Sequence, residues 1–321
     1  MKSCAIVGAG ISGLLAAGEL SRAGWKVTVF DKGRGIGGRM ATRRIGEAVC
    51  DHGAQFFTAR DPRFRESVSL WVSMGLVKEW GRGFGGSGDP EEACYRGLPS
   101  MTAVPKHLAK ALDVRKQHRV VRIVRQEQQW LLDFDSGQDP FTCDALVVTA
   151  PVPQSLALLD SGGIRIASDL RRRLDALQYD ACLAVMAVLD GPSGIPAPGG
   201  MPIRQGPLAW IADNAAKGIS SASAVTLHAR ADFSEHHWDD KERGHQLLLE
   251  AAKPFIGATI VESQVHGWRY ARPRQLFGAA YAVISRSPLL LVAGDAFGGP
   301  RIEDAALSGL AAAHGVAGQA V

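Results

Sequence analysis

Six residues near the start of the chain, Gly8-Ala9-Gly10-Ile11-Ser12-Gly13, constrain its fold more than any other feature. They stand between Cys4-Ala5-Ile6-Val7, which reads as a short buried strand, and a run from Ser12 to Ala23 with the small and apolar content of a helix, stopped by Gly24. A second strand, Val27-Thr28-Val29-Phe30, completes a β-α-β unit of about thirty residues. In this setting Gly8 permits a tight turn, Gly10 lets a pyrophosphate approach the backbone, and Gly13 lets the helix pack on the strand. The helix N-terminus offers free N–H donors and a partial positive charge to phosphate oxygens. Asp31 closes the second strand, where a carboxylate accepts hydrogen bonds from ribose hydroxyls and disfavours a 2′-phosphate. The motif alone leaves NAD and FAD open.

A chain of 321 residues can bury a large core, and two lobes are the expectation. With 46% hydrophobic and 21% charged residues, disorder, collagen and coiled coil are poor descriptions. The net charge of +4 is spread among 32 acidic residues rather than gathered in a tail, which argues against nucleic acid and leaves a mild attraction for anionic small molecules. Arg171-Arg172-Arg173 reads as a solvated helix face. Cys4, Cys50, Cys94, Cys143 and Cys182 are odd in number and never at C-x-x-C spacing, so a reducing, cytoplasmic setting is expected. Lys2 and the apolar residues after it imitate a signal peptide, but Gly8, Gly10, Ser12, Gly13, Gly18 and Glu19 interrupt the apolar run. No stretch reaches the roughly 18 apolar residues of a membrane span.

Further along, a Gly- and Arg-rich loop is expected over 32–44, helices over 62–74 and 103–112, and a flexible segment over 81–90. Arg119–Val124 and Trp130–Phe134 read as paired strands, and Ala145–Val148 as a buried parallel strand returning to the first sheet. The middle, 152–285, mixes a helix over 170–177, strands over 183–189 and 224–229, and a Pro/Gly loop over 191–202. A last strand over 289–293 precedes a closing helix over 305–317. There is no internal repeat.

Two segments bear on the choice of dinucleotide. Asp31 through Gly37-Gly38-Arg39 resembles the acid-then-G-G-R element of glutathione-reductase-like and amine-oxidase-like flavoproteins, in which Arg39 would lie along the pyrophosphate. Leu291-Val292-Ala293-Gly294-Asp295, followed by Gly298-Gly299 and the closing helix, resembles the C-terminal motif of the same superfamily. There Asp295 would bind the ribityl chain, and the helix dipole would favour the charge that develops on reduced flavin.

These pieces, with Asp51-His52-Gly53-Ala54-Gln55-Phe56-Phe57-Thr58-Ala59-Arg60-Asp61, Ala150 to Gln154, His266 to Pro273 and Leu307-Ser308-Gly309, make the chain resemble the bacterial renalases. The resemblance implies an α/β, two-lobed p-hydroxybenzoate-hydroxylase-like fold. A Rossmann-type FAD-binding domain is built from both chain ends (1–60, 100–155 and 286–321), and an α+β substrate domain from 61–99 and 156–285. It implies oxidation of isomeric dihydronicotinamide dinucleotides, chiefly 2-dihydro-NAD(P), to NAD(P), with dioxygen reduced to hydrogen peroxide. FAD contacts would come from Gly8, Gly10, Ile11, Ser12, Gly13, Asp31, Lys32, Arg39, Gln55, Phe56, Val120, Asp295 and Ile302. Phe56, Phe57, Thr58, Ala59, Arg60, Trp268 and Tyr270 would face the substrate, the rings stacking on nicotinamide and Arg60 meeting phosphate. Hydride loss from a dihydropyridine is driven by gained aromaticity, so no catalytic acid–base residue is assigned. His236-His237 point to different sides and make no metal site, and His52 and His266 lie inside matched segments. The partners implied are the small-molecule substrate and dioxygen, with neither nucleic acid nor membrane. The competing readings are an FAD-dependent amine or amino-acid oxidase, then a desaturase or mutase of the same superfamily, and, of another class, a non-catalytic dinucleotide sensor.

Overall fold

The computed structural model describes residues 1–84, 89–135 and 137–318. The chain divides into two packing units, one of residues 1–38, 105–178 and 273–321, the other of 39–104 and 179–272.

The first unit is built on a six-stranded sheet in the order Ala282–Arg286, Leu289–Val292, Ala145–Val148, β1 (Ser3–Val7), β2 (Lys26–Asp31), Asp113–Lys116. All pairings are parallel except that of Ala282–Arg286 with Leu289–Val292. Ile6 stands between Val29 and Val147 in register. Every residue of the runs 145–148 and 289–292 is buried, as expected of strands covered on both faces. One cover is α1 (Ile11–Arg22) packed against the closing helix Ile302–Ala317. Leu14, Ala17 and Leu20 share a core with Ala312, Ala313 and Val316. The two helices come close because Gly309 has no side chain: a Cβ there would run into the Ser12 carbonyl. A three-stranded sheet of Val120–Gln126, Gln129–Phe134 and Phe141–Cys143 completes the unit.

The second unit carries a five-stranded sheet in the order Gly200–Pro202, Leu208–Asp213, Ala224–Ala229, Tyr179–Leu189, Ile260–Pro273. Leu183, Val185 and Ala187 face one core. Met186 faces the other, against Ile45, Ala48 and Cys50. This two-residue alternation explains how a continuous apolar run forms one strand buried on both faces. Beside it lies the hairpin β3 (Thr42–Ile45) and β4 (Ala48–Asp51), and a second hairpin joins Val77–Arg82 to Ala93–Gly97. The helix Pro62–Ser73 begins with Pro62, is capped by the Asp61 carboxylate accepting from Arg63 N–H at 2.9 Å, and buries Phe64, Val68 and Trp71.

The mixed α/β class, the parallel dinucleotide sheet, its β-α-β entry and its closing helix are as the sequence implied. Locally, some readings need correction and some elements went unread. The loop expected over 32–44 ends early, because Thr42 begins β3, and the two-residue turn Gly46-Glu47 uses Gly46 at φ +55° to pair Ile45 with Ala48. The hairpin of Val77–Arg82 and Ala93–Gly97 was not foreseen, and of the segment expected to be flexible, residues 85–88 lie outside the described residues. The 14-residue strand Ile260–Pro273, mostly half-buried with exposed positions between, has no clean alternation to announce it. As units of packing, residues 39–60 and 100–104 belong to the second unit, and 156–178 and 273–285 to the first. No helix among the described residues is long and apolar enough to cross a membrane.

Candidate functional site

The turn after β1 has the shape of a phosphate cradle. Gly8, at φ +113°, donates its N–H to Phe30 carbonyl at 2.8 Å, and a Cβ there would lie 2.6 Å from Thr149 Oγ1. A Cβ at Gly13 would strike the Gly8 carbonyl, whereas at Gly10 it would meet nothing within 4 Å. Gly8 and Gly13 are therefore required by packing, and Gly10 borders open space. The first helical bond of α1 runs from Leu14 N–H to Gly10 carbonyl at 3.0 Å, which leaves the N–H groups of Ile11, Ser12 and Gly13 without helical partners. No side chain caps this end and no acidic residue sits in its first turn. Ser12 Oγ, buried beside it, has no hydrogen-bond partner among the described residues. Orphaned donors at an uncapped helix N-terminus fit a bound pyrophosphate.

Asp31 holds this turn together. Its Oδ2 accepts Ala9 N–H and its Oδ1 accepts Gly33 N–H, each at 2.7 Å, and both oxygens retain lone pairs for a ribose. Gly37 N–H reaches Ala9 carbonyl at 2.8 Å, and the Gly38 backbone is close enough to Gly10 that a Cβ would sit 3.6 Å from its Cα. Lys32, exposed, reaches Gln154 at 3.4 Å. Gly294 takes φ +135° with its N–H on Ser308 Oγ at 2.8 Å, which places Asp295, 6% exposed, beyond the end of the sheet. Ile302 opens the closing helix, whose first turn carries its own anions: Glu303, and Asp304, which accepts Arg301 N–H at 3.2 Å. Val120 is buried at the start of its strand.

The other residues expected from the sequence to bind cofactor or substrate lie in the second unit. The Arg39 guanidinium donates to the carbonyls of Tyr270 and Ala271 at 3.2 and 3.3 Å, and the Arg39 carbonyl accepts Ala54 N–H at 2.8 Å. Gln55 Nε2 donates to Asp51 and Gly53 carbonyls, while its buried Oε1 has no partner among the described residues. Phe56 joins Trp80, Phe84 and Trp210 in an aromatic cluster with centroids 5.2–6.4 Å apart. Phe57 packs instead among Phe64, Trp71 and Tyr95 and bridges Tyr95 through its backbone. Thr58 is buried and Ala59 accepts from Arg65. Arg60 forms a two-pronged ion pair with Glu92, so it meets a phosphate only in competition with that carboxylate. Trp268 stacks on His52 at 5.2 Å and donates its indole N–H to the His52 carbonyl at 2.8 Å, while Tyr270 meets Tyr179 edge-on. Burial depresses the imidazoles: His52 to about 3 and His228 to about 4, with His266 also lowered. Sequence reasoning missed Trp80, Trp210 and a fully buried Lys217–Asp51 pair at 2.8 Å.

A β-α-β cradle closed by a strand, Gly294-Asp295 and a long C-terminal helix defines a dinucleotide-binding protein of the Rossmann class, and residues 6–69 match the model of the NAD(P)-binding Rossmann-like domain. Residues 85–317, well over half of the chain, match the model of the flavin containing amine oxidoreductases, and the chain belongs to that family. Its cofactor is FAD, and in the first unit the open face of Gly10 and the Ser12 hydroxyl, which has no hydrogen-bond partner among the described residues, fit such a dinucleotide. The chain is 39% identical over 75 residues to protoporphyrinogen oxidase 2 of Arabidopsis thaliana, a stretch of 23% of this chain and 14% of that protein. Among solved structures it is similar to a candidate protoporphyrinogen oxidase from Exiguobacterium sp. 255-15 (15% identity, TM-score 0.75, 98% of each chain). It is also similar to putrescine oxidase bound to putrescine (14%, 0.71, 98% of each) and to an oxidoreductase from Methanosarcina mazei (14%, 0.67, 97% of this chain and 99% of that one). At such identities these likenesses speak to fold.

Proposed function

We propose that this flavoprotein oxidises isomeric dihydronicotinamide dinucleotides, the 2-dihydro form first, to NAD(P). The observation that carries the reading is the chemistry of the second unit's aromatic surfaces. Trp268, His52 and His266 form one group of rings, and Phe56, Trp80, Phe84 and Trp210 another. The imidazoles of His52 and His228 have pKa values near 3 and 4, which makes them poor proton acceptors near neutral pH. Flat apolar faces and weak bases suit a donor that loses hydride without losing a proton first. An alkyl amine, with a pKa of roughly 10, reaches a flavin mostly as its ammonium form and has to shed a proton before oxidation.

In this reading the Gly8–Gly13 turn and the start of α1 hold the cofactor's pyrophosphate, Asp31 its ribose, Asp295 its ribityl chain and Gln55 Oε1 one of its N–H groups. Phe56 and Trp268 hold the dihydropyridine ring flat, and Arg39 lends positive charge to the cofactor's pyrophosphate. FAD, when bound, supplies the hydride acceptor and passes the electrons to dioxygen as hydrogen peroxide. A second reading, oxidation of an amine, is supported by the family's description and by the cation affinity of an aromatic cluster.

An anaerobic titration of the purified holoprotein separates the two. The visible flavin band is expected to bleach rapidly with 2-dihydro-NAD and to persist with NADH and with putrescine. Bleaching by the amine and not by the isomer would transfer the assignment to the second reading.

A further inference from the structure

The second unit buries an ion pair that the chemistry proposed above does not use. Lys217 Nζ lies 2.8 Å from Asp51 Oδ2, and both side chains are fully buried. Among the described residues Asp51 is the one hydrogen-bond acceptor of the Lys217 ammonium, which sits 4.9 Å from the centre of the Trp80 ring. Asp51 is held from several directions. Its Oδ1 accepts Thr42 Oγ1–H at 2.6 Å and Met101 N–H at 3.1 Å, and its backbone N–H donates to Asn214 Oδ1 at 3.4 Å.

Withdrawing two opposite charges from water costs about as much as their attraction returns, and a neutral pair of similar volume is commonly as stable or more so. Stability is therefore a weak reason for this pair. What it does supply is direction. A carboxylate that must satisfy donors from β3, from Met101 and from Lys217 at once can sit in only one place, and that place is four residues before Gln55 in the chain. Gln55 Nε2 hangs from the Asp51 carbonyl at 2.5 Å. Phe56 packs against Trp80, with centroids 6.4 Å apart, and Trp80 is the ring beside Lys217. Asp51 thus touches one residue of the site directly, and Lys217 reaches another through Trp80.

We propose that Asp51 and Lys217 are positioning residues, a buried charge pair that fixes the 53–57 segment so that Gln55 meets the cofactor, and Phe56 the cofactor and substrate, in a single geometry. The inference rests on the reading that Gln55 and Phe56 face the flavin and its substrate.

The test uses the holoprotein. Lys217→Met strands the Asp51 charge and is expected to lower the unfolding temperature. The double variant Asp51→Asn/Lys217→Met removes both charges at similar volume and decides the matter. Its unfolding temperature is expected to return close to that of the wild type. The visible circular dichroism of its bound flavin should nonetheless differ, and flavin reduction by 2-dihydro-NAD should be slower by roughly 10- to 100-fold, the scale of an ångström-sized misplacement. Flavin lost from a double variant that still folds counts as an altered spectrum. A double variant with wild-type dichroism and rate overturns the proposal, and so does one that fails to fold, because the pair would then serve stability. The dichroism needs no substrate, so a wild-type protein unreactive toward 2-dihydro-NAD would sink the functional reading and leave this comparison standing.

Discussion

Asp31 ties down the turn it is meant to serve: its carboxylate accepts Ala9 N–H at 2.7 Å through Oδ2, while Oδ1 takes Gly33 N–H at the same distance. The residue thus orients the phosphate cradle before any ribose arrives. Asp31→Asn replaces one acceptor oxygen by an NH2 group that faces a backbone N–H. Leaving that donor unsatisfied costs about 1–3 kcal/mol. Part of the cost appears as weaker cofactor binding, at about 1.4 kcal/mol per tenfold in Kd. The expected outcome is a lower unfolding temperature of the apoprotein together with at least tenfold weaker FAD binding, measured by fluorescence titration. Unchanged affinity would remove Asp31 from the cofactor site.

Gly10 and Gly13 separate cofactor binding from folding. Gly10 has φ −79° and open space around its missing Cβ, so Gly10→Val should leave the unit folded while its side chain fills the room a pyrophosphate needs. At Gly13 a Cβ would strike the Gly8 carbonyl, so Gly13→Ala should strain the helix–strand contact by about 1–3 kcal/mol. Flavin absorbance per chain and far-ultraviolet circular dichroism should therefore part company: flavin lost and fold kept for the first, both impaired for the second. A Gly10→Val protein with full flavin occupancy would contradict the placement of the loop.

The glycine turn, Asp31 and the closing helix were legible because their signals are local: each is a run of neighbouring residues whose spacing matches a turn, a strand end or a helix. Lys217 carried no such signal. It lies in Ala215-Ala216-Lys217-Gly218, which reads like any solvated turn, and its partner is 166 positions away. Trp80 and Trp210 become one cluster only through the hairpin and sheet that bring them together. Arg43 and Arg44 disguised β3 as loop, because a strand on a half-exposed hairpin takes its order from cross-strand pairing more than from its own composition. The ion pair of Arg60 with Glu92 was likewise invisible, and it changes what Arg60 offers a phosphate.

The buried imidazoles make stability fall on the acid side. His52 titrates near 3 and His228 near 4 in the folded protein, against 6.5 for an unperturbed histidine, with burial the leading cause for both. Below pH 6.5 the unfolded chain binds protons that the folded chain refuses, so these residues withdraw stability as pH falls from 6.5 toward 4 and, for His52, toward 3. Above pH 6.5 the contribution is fully present and flat. Each tenfold loss of proton affinity on folding is worth about 1.4 kcal/mol, so the withdrawal is on the order of several kcal/mol. His228→Gln keeps an amide N–H to replace the contact His228 Nε2 makes with the His52 carbonyl at 3.2 Å and removes one titrating group. The unfolding temperature of the wild type should therefore drop steeply between pH 6.5 and 4, and that of His228→Gln less steeply over the same interval. Parallel curves for the two proteins would show that His228 takes up its proton as readily when folded as when unfolded, and that its surroundings are wetter than their packing indicates.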